Sequence, residues 1–82
     1  MTPQQAEAAI KEALAQVAPD ADTEVLAPEA DLPETLELDS IDFLRFIEIL
    51  SKNTGSRIDE DDYPELANLA SGVAFITEHS AQ

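Results

Sequence analysis

Few residues in this chain can do covalent chemistry. It has no Cys, a single His, and four Lys and Arg together among 82 residues. The hydroxyl with the most suggestive surroundings is Ser40, in Leu36-Glu37-Leu38-Asp39-Ser40-Ile41-Asp42-Phe43. A catalytic serine needs a base beside it. The one His, His79, lies near the C-terminal end, and no Gly-x-Ser-x-Gly elbow surrounds the serine. A nucleophilic hydrolase is therefore excluded. By residue type alone, Asp-Ser ahead of an apolar run is a helix cap. Two acidic clusters raise the question of calcium. Asp59-Glu60-Asp61-Asp62-Tyr63-Pro64 has Pro64 where an EF-hand loop requires Gly, and Asp20-Ala21-Asp22-Thr23-Glu24 is followed there by Val25. Neither qualifies, so no metal site is expected.

The elements that must position Ser40 follow from hydrophobic period. Thr2-Pro3-Gln4-Gln5 carries a capping hydroxyl, a Pro at the first helical position and a Gln to close a capping box. Ala6, Ala9, Ile10, Ala13, Leu14 and Val17 then form one apolar stripe, and Pro19 ends the helix. Glu7 and Lys11 make a favourable i,i+4 pair. Residues 19–39 form a long connection whose polar groups are nearly all acids. Val25, Leu26, Leu32, Leu36 and Leu38 recur through it, which predicts a segment packed across the domain.

A second helix is predicted from Ser40 to Ser51 or Lys52, with Asp39 as its cap and Asp42 suited to the positive end of the dipole. Phe43, Phe46, Ile47 and Leu50 share the core face, while Ile41, Leu44 and Glu48 share another. Asn53-Thr54-Gly55 closes the helix. Asp59 to Pro64 reads as a short acidic helical turn limited by Pro64. A last helix starts at Asn68, buries Leu69, Val73 and Ile76 with Phe75 beside them, and frays from His79 to Gln82. The sum is an all-α four-helix bundle of three main helices and one short one, in one domain covering residues 1–82.

Charge narrows the partners. Eighteen acids face four bases, a formal net charge of −14. Such a chain offers no basic patch for a nucleic acid. No stretch approaches the apolar length of a membrane span, and no basic segment precedes an apolar core. A cytoplasmic monomer that meets proteins with basic surfaces is expected.

The layout of capped helix, long loop, Asp-Ser-Ile-Asp at a second helix, short acidic helix and closing helix resembles the acyl carrier protein family. Leu38-Asp39-Ser40-Ile41-Asp42 resembles its Asp-Ser-Leu attachment motif. Ile58, Leu66, Leu69, Val73 and Ile76 sit where the family has apolar core positions. The resemblance implies that Ser40 receives 4′-phosphopantetheine from coenzyme A through a phosphopantetheinyl transferase, and that Asp39 assists that transfer. It implies a recognition helix in which Ile41, Asp42, Leu44, Arg45 and Glu48 meet acyl-loading, synthase or acyltransferase enzymes with basic docking patches. The protein itself is then not an enzyme.

The chain departs from the family's pattern at several points. Glu37 replaces a common Gly, Ile41 a Leu, Arg45 an acid and Glu48 an apolar residue, and Lys52 adds a second base. These changes imply a specialised carrier, and a free-standing one is expected, acting in fatty acid, polyketide or lipid biosynthesis. An aminoacyl or peptidyl carrier is the nearest rival. A non-carrier acidic interaction module is the rival from another class.

Overall fold

A computed structural model describes residues 1–80. Four α-helices and two 3-10 segments follow one another: α1 (Pro3–Val17), a 3-10 turn (Thr23–Val25), α2 (Leu32–Thr35), α3 (Ser40–Thr54), a 3-10 helix (Glu60–Ala67) and α4 (Leu69–His79). The four longer helices make the expected all-α bundle of acyl-carrier type. The described residues contain no strand, only an isolated bridge between Asp31 and Asn68.

The start of α1 follows its sequence. Gln5 N–H donates to Thr2 Oγ1 at 3.1 Å, and Thr2 N–H donates to Gln5 Oε1 at 3.0 Å. Its Ala-rich stripe buries Ala6, Ile10, Ala13 and Leu14 against α3 and α4. Small side chains there allow close approach. A Cβ added at Gly72 of α4 would lie 3.2 Å from Ile10 Cδ1. Phe46, Ile47 and Leu50 of α3 complete the core with Leu66, Leu69, Phe75 and Ile76. Val73, expected inside, is half-buried against that core.

The connection from α1 to α3 is a structured part of the bundle. Leu32 is fully buried, and Leu26, Leu36 and Leu38 pack against the core. Val25 alone among its large apolar residues faces solvent, 75% exposed. Ala70 N–H donates to Pro28 O at 2.9 Å, which ties the connection to the start of α4. The one-turn helix α2 was not expected within the connection, although Asp31-Leu32-Pro33-Glu34 carries its signal. Asp31 caps it by accepting the Glu34 N–H at 2.9 Å, and Pro stands in its first turn.

Other expectations are corrected. The second long helix runs to Thr54, past Lys52, and ends on Gly55 in the left-handed region at φ 68°. It can extend because Thr54 is buried. The Thr54 hydroxyl donates to Leu50 O at 2.8 Å and lies 2.9 Å from the buried Ser56 Oγ. Pro64 does not end the acidic segment. The 3-10 helix continues to Ala67 and buries Leu66, since Pro in a short 3-10 run displaces no α-helical hydrogen-bond ladder. The last helix includes His79, expected to fray. Its ring stacks on Phe75 at 4.2 Å, and its Nδ1 lies 2.9 Å from Phe75 O. The fraying expected at Ala81 and Gln82 lies outside the described residues.

This packing predicts opposite outcomes for two apolar residues of the same connection. Leu32→Ala should lower unfolding free energy by roughly 2–4 kcal/mol, as a core truncation does. Val25→Ala should change it by no more than about 0.5 kcal/mol. Urea denaturation of both variants checks the difference.

Candidate functional site

The site is built from two adjoining backbone devices. The first ends α2. Glu37 takes φ 54°, the chain's left-handed non-glycine residue among those described. Glu37 N–H donates to Glu34 O at 3.3 Å, and Leu38 N–H donates to Pro33 O at 2.8 Å. That pair of bonds is a Schellman termination, and it reverses the chain after a single turn. A left-handed conformation costs a non-glycine residue about 1–2 kcal/mol. The one signal for it is the resemblance noted above, in which Glu37 stands in place of a common Gly.

The second device starts α3. The Asp39 Oδ1 accepts the Asp42 N–H at 2.8 Å, and Asp39 O accepts the Phe43 N–H at 2.9 Å. Asp39 is thus the cap, and Ser40 is the first helical residue. Ser40 is exposed, and no hydrogen bond among the described residues engages its hydroxyl, its amide or the Ile41 amide. Free N–H groups at a helix start, with the positive end of the dipole, suit a phosphate oxygen. The residues present therefore fit a phosphodiester on Ser40.

Other hydroxyls are less suited. The Ser51 Oγ donates to Ser56 O at 2.6 Å, Ser56 is buried, and the Ser71 Oγ lies 2.6 Å from Glu65 O. Ser80 stands at the C-terminal end of α4, where the dipole disfavours an anion.

A model of the family described as "Phosphopantetheine attachment site" matches residues 8–76. The chain belongs to that family. The match spans α1 to α4 and includes the Asp39-Ser40 turn. No curated protein and no solved structure matches the chain. A phosphopantetheine-attachment domain is the site of covalent 4′-phosphopantetheine attachment. Such carrier domains meet a phosphopantetheinyl transferase and pathway enzymes, and they are generally not catalytic themselves. No helix among the described residues is long and apolar enough to cross a membrane.

The residues expected to meet partners lie together on α3. Ile41 is 67% exposed and Leu44 43%, and Arg45 and Glu48 are exposed. Asp42 is half-buried. Phe43, expected in the core, is also half-buried. Its ring lies 5.9 Å from Phe46 and 6.1 Å from Tyr63, so it bridges α3 to the 3-10 helix. Lys11 pairs with Glu7 at 3.6 Å and Arg57 with Asp59 at 3.3 Å. No ion pair among the described residues holds Arg45 or Lys52.

The cap geometry predicts how two neighbours divide stability from modification. Asp39→Ala should cost about 0.5–2 kcal/mol, the usual loss for a side-chain cap. Ser40→Ala should cost less than about 0.5 kcal/mol, because its hydroxyl caps nothing. Equal losses in urea denaturation would contradict the assignment of Asp39 as the cap.

Proposed function

We propose that the protein is an acyl carrier whose phosphopantetheine arm is attached to Ser40. The observation that carries the reading is an exposed, unengaged serine hydroxyl at the first position of a 15-residue helix, with two free amides beside it. In the loading step, Ser40 Oγ attacks the phosphorus that bears the pantetheine in coenzyme A. A P–O bond to that phosphorus forms, the pyrophosphate P–O bond breaks, and adenosine 3′,5′-bisphosphate leaves. The hydroxyl proton passes to a base of the transferase. The arm supplies a thiol that holds cargo as a thioester.

Asp39 has two roles in this reading. It fixes the helix start, and its second carboxylate oxygen faces the transferase and its divalent metal. Asp42 and Glu37 keep the neighbourhood negative, which favours a basic partner surface. The carrier is not itself an enzyme. It works as a single domain and as a cytoplasmic monomer, passing fatty acyl, polyketide or other lipid intermediates between separate proteins.

The two unpaired bases on α3 support a specialised pathway. Arg45 and Lys52 are seven residues apart, so they lie about 10 Å apart along the helix axis, on a face that also carries Ile41, Leu44 and Glu48. A partner for this face needs an apolar hollow for Ile41 and Leu44 and acidic groups among its basic ones.

Two measurements test the proposal. Coenzyme A, Mg²⁺ and a broad-specificity phosphopantetheinyl transferase should add one arm to the intact mass, and Ser40→Ala should abolish the gain. An unchanged mass in a folded protein would sink the carrier reading. Arg45→Glu should change the association rate with the cognate synthase or acyltransferase by roughly threefold to tenfold, with a changed salt dependence. An unaltered rate would remove Arg45 from the docking face.

A further inference from the structure

The connection between α1 and α3 borders an open cleft of about 570 Å³, walled by residues of the stretch from Ala18 to Ala30 and by Thr35, Leu36 and Glu37. Ala21, Leu26, Ala27, Ala30 and Leu36 give it an apolar lining, and Val25 stands exposed beside them. Its charged groups are the carboxylates of Asp20, Asp22 and Glu37, with no Lys, Arg or His among its walls. Such a cleft refuses anions. It suits a neutral chain with apolar branches and N–H or O–H donors for the carboxylates.

We propose that this cleft is the resting site of the chain's own pantetheine arm. The inference rests on Ser40 carrying that arm. Ser40 is three residues beyond Glu37, so the attachment point is at most about 11 Å from the wall of the cleft. Beyond its phosphate the arm is neutral. It has a dimethyl-substituted carbon, a hydroxyl, two amides and a terminal thiol, which matches apolar walls set with acceptors. The phosphate stays at the start of α3, where the free amides of Ser40 and Ile41 and the helix dipole favour it. Glu37, in its left-handed turn, lines the cleft and stands three residues before Ser40. Tethering supplies a local concentration on the order of millimolar, so weak contacts suffice to hold the arm and still release it to a partner. The cleft thereby shelters the arm between visits to enzymes.

The test compares apo and holo protein by amide NMR after intact mass has shown the arm in place. Loading should shift the amides of Ala21, Leu26 and Ala30 as well as those next to Ser40. Ala27→Glu, at an exposed position of the cleft, should load as the parent does and lose those distant shifts. With no Cys in the chain, the arm's thiol is the only thiol present. It should react with a disulfide reagent roughly threefold faster in Ala27→Glu than in the parent, as expected if about two-thirds of parent arms are sheltered. A failure to gain the arm overturns the carrier reading and this one together. A gained arm whose shifts stay around Ser40, or whose distant shifts survive in Ala27→Glu, overturns the cleft alone.

Discussion

One hydrogen bond organises the functional end of this protein. The Asp39 carboxylate takes the Asp42 N–H at 2.8 Å and so fixes where α3 begins. A helix leaves its first amides without intrahelical partners, and some group must satisfy them. Had Ser40 been the cap, its hydroxyl would be engaged and turned toward the helix. With Asp39 in that role, Ser40 becomes the first helical residue, exposed and unengaged. The remaining free amides and the dipole then favour the negative charge that a phosphodiester brings. The preceding Schellman turn at Glu37 sets the direction from which the chain enters this cap.

The cap is only as firm as the bundle that holds α3. Phe46, Ile47 and Leu50 anchor that helix in the core, and Phe43 reaches the 3-10 helix through Tyr63. Leu32 plants the preceding connection in the same core, one turn before Glu37. The chain on either side of the serine is therefore anchored in the core, by Leu32 before it and Phe46 after it. The outer face of α3 stays open for partners. Its free Arg45 and Lys52 set it apart within a strongly acidic chain.

Much of this was legible in the sequence because local rules and the fold agree. The Thr2 capping box, the Ala6 to Leu14 stripe, the Asp39 cap and the exposed Ile41 and Leu44 face follow from helical period and cap chemistry. The long connection was legible only as packed. Its one-turn helix α2 is too short for a periodic signal, although Asp31 and Pro33 mark it. Val25 defied its residue type, because the short 3-10 turn there points an apolar side chain outward. Pro64 misled because it breaks α-helix but not a 3-10 run. His79 joined the last helix through its ring contact with Phe75, which no pattern of hydropathy encodes. Within the site, Asp39 and Ser40 were legible by type. Their division of labour was not, since either side chain can cap and only geometry separates them.

The most direct measurement of the central claim is peptide-level tandem mass spectrometry of the protein isolated after loading with the arm. The chain has five serines: Ser40, Ser51, Ser56, Ser71 and Ser80. The fragment series should place the whole phosphopantetheine mass on Ser40 and leave the other four unmodified. An arm on any of those four, with Ser40 bare, would contradict the account.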